Sequence, residues 1–172
     1  MMILETERLY LREMNHDDYI ALCRILQDEE TMYAYEHAFS DAEVVRWLDN
    51  QLNRYKEDGL GLWAVVLKDN DVMIGQCGLT YQMIRNKKVV EIGYLFNKDY
   101  WHQGYAIEAA RGCKEYAFDK GINEVYSIIR DNNQASINVA LRNGMSKTDE
   151  IIKHYYHMDM LHFIYKVGKD NG

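Results

Sequence analysis

Between Gly104 and Gly121 the sequence reads as one helix whose inward positions, Ala106, Ala109, Ala110, Cys113 and Ala117, are all small. A face without bulk lets a helix sit close to what it covers, and the flanking segments supply a sheet for it. Val89 to Asn97 alternates, with Val90, Ile92, Tyr94 and Phe96 on one face and Glu91, Gly93 and Leu95 on the other. Val125 to Ile129 has the apolar run of a buried strand. Strand, helix, strand in that order implies a parallel pair, and ligands of such sheets sit where the strands end.

The rest of the chain adds to this centre. Leu9 to Glu13 alternates as a short strand, and Asn15 with Asp18 opens a helix carrying Tyr19, Leu22, Cys23 and Leu26. Ser40 and Glu43 make a capping box ahead of Val44, Leu48, Leu52 and Tyr55, and Gly59 stops that helix. Glu30 to Phe39, rich in tyrosine, fits no element. From Leu60 the period changes: Leu62 to Leu67 and Val72 to Tyr81 flank the turn Asp69-Asn70-Asp71 as a hairpin, which the next strand extends into an antiparallel sheet. Asn133 to Asn143 reads as a short helix with Ile137, Ala140 and Leu141 inward, and Lys147 to Tyr155 and Met158 to Val167 as closing strands. The order is β-α-α-β-β-β-α-β-α-β-β, a mixed α/β chain.

At 172 residues this is one domain, residues 1–172, long enough to bury about 70% of its unfolded surface without disulfides or metal. Cys23, Cys77 and Cys113 are odd in number, far apart and flanked by apolar residues, and read as core residues. A net charge of -7 is the wrong sign for a chain that lives on nucleic acid. No apolar stretch approaches a membrane span and the charged start carries no signal core, so the expected location is cytoplasmic, with no nucleic acid and no membrane as partners.

Chemistry concentrates at the junction running from Glu91 through Phe96 and a polar loop into Trp101-His102-Gln103-Gly104-Tyr105-Ala106. A helix start offers N–H groups without intrahelical partners at the positive end of its dipole, so this is either an anion site or a plain helix N-terminus. It is neither a triphosphate P-loop nor a dinucleotide fingerprint, because the required lysine and glycines are missing. His154 and His157 point to opposite faces at strand spacing and no carboxylate pattern joins them, so no metal site is expected. Tyr33, Tyr35, Tyr81, Tyr155 and Tyr156 could line an acceptor pocket against Trp63 or serve as packing. Glu29, Glu30 and Glu36 could attract a cationic acceptor or form a solvated acidic face.

Glu-Ile-Gly-Tyr at 91–94, then Tyr-Trp-x-x-Gly-Tyr-Ala-x-Glu-Ala from Tyr100, then Asp131 to Ser136 and Asn143-Gly144-Met145 together resemble the GNAT acyltransferases. Within them the chain is similar to the branch that includes the ribosomal-protein N-terminal acetyltransferases (RimJ/RimL-like), a likeness shared by Leu4 to Arg12 and Asp159 to Tyr165. The resemblance implies the GNAT fold: a mixed sheet of about seven strands, antiparallel in its N-terminal part with a parallel pair in the middle, and helices on both faces. It implies acetyl-CoA as co-substrate, with its pantetheine arm along the backbone of Tyr94, Leu95 and Phe96. The pyrophosphate would lie on the N–H groups from Trp101 and His102 through Gln103, Gly104 and Tyr105 to Ala106. Asn133 would bond the pantetheine, and Ser136 would lie near the sulfur. Two positions depart from the family pattern: Trp101 stands where Gln or Arg is usual, and Ala140 where many members carry a tyrosine that protonates the departing thiolate.

A thioester is attacked by a neutral amine. A lysine with pKa near 10.4 is neutral about once in a thousand at pH 7.4, whereas an α-amine near 7.7–8.0 is neutral roughly a quarter of the time. A lysine or polyamine therefore needs a positioned base, and Glu91, on the strand leading to the cofactor edge, is the candidate, its alternative being an ordinary strand carboxylate. Ser136 is the candidate acid. The expected activity is acetyl transfer from acetyl-CoA to a primary amine, a protein N-terminus or a small molecule, by direct attack in a ternary complex; the alternative is a catalytically weak acyl-CoA-binding sensor. Tyrosines on the last strands could favour a homodimer.

Overall fold

The computed structural model describes residues 1–155 and 157–169. Its strands are β1 (Met2–Glu5), β2 (Leu9–Arg12), β3 (Gly61–Leu67), β4 (Met73–Ile84), β5 (Lys87–Phe96), β6 (Glu124–Arg130), β7 (Ser146–Tyr155) and β8 (Met158–Gly168). Its helices are α1 (Tyr19–Leu26), α2 (Asp41–Asp58), α3 (Tyr105–Asp119) and α4 (Gln134–Arg142).

Helices begin where local side chains can cap them. Asn15 and Asp18 form a reciprocal capping box over a single 3-10 turn that leads into α1, and Ser40 and Glu43 do the same for α2. Gly59, at φ +70°, ends α2 in the left-handed conformation, and the chain turns into β3. Asp18 is also held by Arg12 through two bonds of 2.9 and 2.8 Å, which ties the start of α1 to β2.

The strands make one eight-stranded sheet in the order β1-β2-β3-β4-β5-β6-β8-β7. Only β5 and β6 run parallel; all other neighbours are antiparallel. The strand beyond the expected seven is β1, a charged segment in sequence whose Ile3 and Leu4 nonetheless pack against the core. At the β4–β5 tip, Arg85 and Asn86 take φ of 44° and 69°, a two-residue turn that carries β4 past the apolar run to Ile84.

Helices cover both faces. On one, the small stripe Ala109, Ala110, Cys113 and Ala117 is fully buried with Cys77, Ile92 and Val125, and Cys77 Sγ lies 3.7 Å from Cys113 Sγ. On the other, Leu22, Ile25 and Leu26 of α1 and Val44 and Leu48 of α2 pack on Ala64 and Val66. The expected faces of β5 are observed: Val90, Ile92, Tyr94 and Phe96 pack on the α3 side, while Leu95 packs with α1 and α2. Leu141 is corrected: it is 52% exposed, because α4 meets the core through Ile137 and Ala140 and the next residue lies about 100° further round. Among the described residues no helix is long and apolar enough to cross a membrane.

The tightest backbone approach is between β3 and β4. A Cβ on Gly78 would lie 2.1 Å from the Gly61 carbonyl oxygen and 2.8 Å from Leu62 Cα, all main-chain atoms that cannot rotate away. Gly78→Ala is expected to lower stability by about 2 kcal/mol or more, against roughly 1 kcal/mol for Gly121→Ala, where strain is confined to φ. Urea unfolding of the two variants checks the ranking.

Candidate active site

The β5–β6 pair is joined in register at one point, Glu91 opposite Tyr126. Beyond it the strands part, and side chains take over where a ladder would continue. Ser127 Oγ donates to the Ile92 carbonyl at 2.9 Å, and the Ile128 N–H donates to Glu91 Oε2 at 2.7 Å. Further on, the Tyr94 hydroxyl donates to the Ser136 carbonyl in α4 at 2.8 Å. The residues from Gly93 to Phe96 thus leave one backbone edge of β5 without a strand partner.

A cavity of about 440 Å³ opens at this wedge. Glu91, Gly93, Tyr94 and Leu95 of β5 form its floor, α2 contributes Trp47, Gln51 and Arg54, and Asn133 and Ser136 lie at the start of α4. Arg130 of β6, Lys153 of β7 and His162 of β8 close the far side. The segment that fits no element in sequence spans the open strand ends. Asp28 and Glu30 pair with Lys98 after β5 at 3.0 and 3.7 Å. Tyr33 donates to the Asn132 carbonyl and to Asn133 Oδ1, each at 3.2 Å, and Ala34 and Glu36 receive Arg130. Phe39 and Trp47, 5.8 Å apart edge to face, complete an aromatic wall with Tyr35.

Burial pushes the Glu91 carboxyl up to about 7, and its bond from Ile128 N–H with the charges of Lys153 and Arg54 pulls the other way without prevailing. Burial also raises the Tyr94 phenol above its ordinary value, so it stays a donor at neutral pH. His162 is held below the usual imidazole range, again by burial, with Nδ1 3.0 Å from the Met160 carbonyl.

The loop from Trp101 to Ala106 lies apart from the cavity, around the start of α3. Trp101 donates its indole N–H to the Phe96 carbonyl at 2.9 Å, which pins the loop to the end of β5. His102 and Gly104 take positive φ of 63° and 81°, and no side chain caps α3, so its first N–H groups face outward without partners. Arg8 reaches this loop from the β1–β2 turn. Its Nη1 donates to the Gln103 carbonyl at 3.0 Å, its Nε to Glu108 Oε1 at 2.7 Å, and its guanidinium stacks 4.3 Å from the centre of the Tyr105 ring. Thr6 completes the clamp, donating to Glu108 Oε2 at 2.6 Å.

The structure therefore brings Glu91, Tyr94, Leu95, Asn133 and Ser136 around one cavity, with Phe96 at its edge, and sets Trp101 to Ala106 as a second, exposed patch. Several expectations are revised. Trp63 is buried on the α3 side against Tyr116, 5.5 Å away, so it lines no acceptor pocket. Of the tyrosines, Tyr35 lines the cavity, Tyr33 fastens the covering segment and Tyr81 packs on the core; Tyr156 and the side chain of Tyr155 lie outside the described residues. Glu29 and Glu30 stay solvated as an acidic face would be, Glu30 with a long ion pair to Lys98, while Glu36 is paired with Arg130. Sequence reasoning missed Arg54, Arg130 and Lys153, which come from three remote elements. Arg8 was visible only as part of a charged opening.

Residues 8–146 match the model of the acetyltransferase (GNAT) domain, and the chain belongs to that family. It is 35% identical over 152 residues to the uncharacterized protein YkkB of Bacillus subtilis (strain 168), covering 87% of this chain and 88% of that one. Its fold matches a GNAT-family acetyltransferase structure from Bacillus anthracis with a TM-score of 0.80, 22% identity and 98% coverage of both chains. It also matches, at TM-score 0.80 and 18% identity over 99% of this chain and all of the other, the Salmonella typhimurium acetyltransferase described as modifying the N-terminal serine of ribosomal protein L7/L12. The chain is an acyl-CoA-dependent acetyltransferase, of a family whose acetyl donor is acetyl-CoA. Two features fit that donor: an open strand edge for an amide-bearing arm, and an uncapped helix start with a left-handed approach for a diphosphate.

A carboxyl raised from 4.5 to about 7 binds a proton in the folded chain that the unfolded chain has lost, so its contribution to stability is whole below pH 4.5 and falls as pH rises through 7. Glu91→Gln keeps an acceptor for the Ile128 N–H and removes the buried charge. It is expected to stabilise the protein by roughly 1–3 kcal/mol at pH 8 and to change little at pH 4.5, which thermal unfolding at the two pH values checks.

Proposed function

We propose that this acetyltransferase works by direct attack of a primary amine in a ternary complex, with Glu91 taking the amine proton. The observation that carries the reading is the Glu91 carboxyl set in the wedge where β5 and β6 part, half-buried, fixed by the Ile128 N–H and poised near neutrality. A base so poised is largely deprotonated at physiological pH, and its conjugate acid lies closer in pKa to the ammonium than an ordinary carboxylic acid does, so taking the amine proton costs less.

Acetyl-CoA supplies the acetyl group as a thioester. The open edge formed by Tyr94, Leu95 and Phe96 would hold its pantetheine arm. Asn133 supports this: its Oδ1 already takes the Ser136 N–H at 3.3 Å and the Tyr33 hydroxyl, and its amide NH2 remains to donate. The N–H groups from His102 to Ala106 would hold the pyrophosphate, with Trp101 positioning the loop and Arg8 adding a charge beside it. A backbone N–H near Tyr94 or Leu95 would receive the developing oxyanion. At the start of α4 Ser136 would protonate the leaving thiolate, and the Tyr94 hydroxyl on the Ser136 carbonyl is a second donor at the same place.

The acceptor is a protein N-terminal α-amine, as described for the Salmonella structure, or a small-molecule amine. A second reading, an acyl-CoA sensor with weak catalysis, is supported by Ala140, which is buried and carries no hydroxyl. Thiol release from acetyl-CoA across a panel of amines separates the two. In the enzyme, kcat/KM rises with pH through about 7 as Glu91 loses its proton. Glu91→Gln is expected to lower turnover about a hundredfold and erase that limb while CoA still binds, and Ser136→Ala to lower kcat. A cofactor that binds with no turnover on any amine would leave the sensor.

A further inference from the structure

The chain carries a net charge of -7, yet the cavity is lined by three cations, Arg54, Arg130 and Lys153, and one carboxyl, Glu91. That local reversal of sign is the feature the acetyl-transfer reading leaves unused, since the pyrophosphate patch lies elsewhere, at the start of α3. Arg54 makes one long hydrogen bond, 3.4 Å to Gln51, and no ion pair among the described residues. Arg130 gives Nη1 to Glu36 and to the Ala34 carbonyl, but its Nε is buried with no hydrogen-bond partner. A buried guanidinium N–H without an acceptor is costly unless a ligand completes it. Arg54 and Lys153 both act on the charge of Glu91, one from α2 and the other from β7, so they flank the carboxyl that would receive the amine.

We propose that the acceptor is a small amine bearing its own carboxylate, as in a free amino acid: the amine faces Glu91, and the carboxylate is held by Arg54 and Lys153, with Arg130 Nε within the same wall. The inference rests on the acetyl-transfer reading of this cavity. A diamine or polyamine would place a second positive charge beside Arg54, Arg130 and Lys153, and a neutral peptide N-terminus would bring no anion to Arg54, which makes no ion pair among the described residues. The cavity of about 440 Å³, roofed by Tyr35, Phe39 and Trp47, suits a small molecule rather than a chain.

Calorimetric titration of the CoA-bound protein with amino acids and with the matching amino-acid amides tests the anion site without needing turnover. The acids are expected to bind at least about tenfold tighter than their amides, and Arg54→Gln and, separately, Lys153→Met to bring acid binding down to the amide level. Equal binding of acid and amide overturns the proposal, as does tighter binding of a diamine or an unchanged preference in both variants. Turnover is read in parallel: acid preference without acetylation counts against the catalytic reading alone, whereas acetylation without acid preference counts against this one.

Discussion

The structure turns on the parting of β5 from β6. Two parallel strands that stay paired would satisfy each other and leave nothing to bind; here pairing is confined to Glu91 and Tyr126. The freed groups lie partly or wholly out of water, so each needs a partner, and side chains supply them: Ser127 for the Ile92 carbonyl and Glu91 for the Ile128 N–H. The group that fills the gap is thus also a half-buried carboxyl facing the cavity. The same arrangement leaves a strand edge open with a carboxyl beside it, which in the proposed reaction would seat the cofactor arm and accept the amine proton.

On the proposed reading the other end of the cofactor is handled by a different device. An acidic chain cannot hold a diphosphate by general attraction, so the patch at the start of α3 would rely on fixed backbone N–H groups and the dipole of a fifteen-residue helix. Its geometry is set from outside. Trp101 fastens the loop to the end of β5, and Arg8, braced by Glu108, fastens it to the β1–β2 turn. The small stripe on α3 matters for the same reason, since Ala109, Ala110 and Cys113 let the helix lie close enough to the sheet for its first turn to meet the end of β5.

What was legible in the sequence was local. Capping boxes at Asn15 and Ser40, the glycine stop at Gly59 and the alternation of β5 depend on neighbours within a few residues, and each appears as read. The segment from Glu30 to Phe39 was opaque because its conformation is set by partners about sixty to a hundred residues away, Lys98, Arg130 and Asn133. Trp63 was misplaced because aromatic residues in a strand carry no mark of which face holds the ligand. Glu91 was a candidate from its strand position alone, and its place in the wedge beside the cavity could not be read from that position. The cations could not be found at all: Arg54 looks like the exposed end of a helix, and Lys153 like a strand lysine.

Those cations and Glu91 form one electrostatic system. Burial alone would drive the carboxyl further above 7; the bond from the Ile128 N–H holds it there, with a smaller share from the charges of Lys153 and Arg54. An anion seated against them offsets part of their charge, and the restraint on Glu91 weakens. Its proton affinity then rises when an anionic acceptor arrives, making it a better base for the amine that came with the anion. The ammonium of that acceptor pulls the other way until its proton is transferred, after which the neutral amine leaves Glu91 protonated among partly neutralised cations. On the proposed reading, binding the acceptor and activating it are coupled through charges already in the cavity wall.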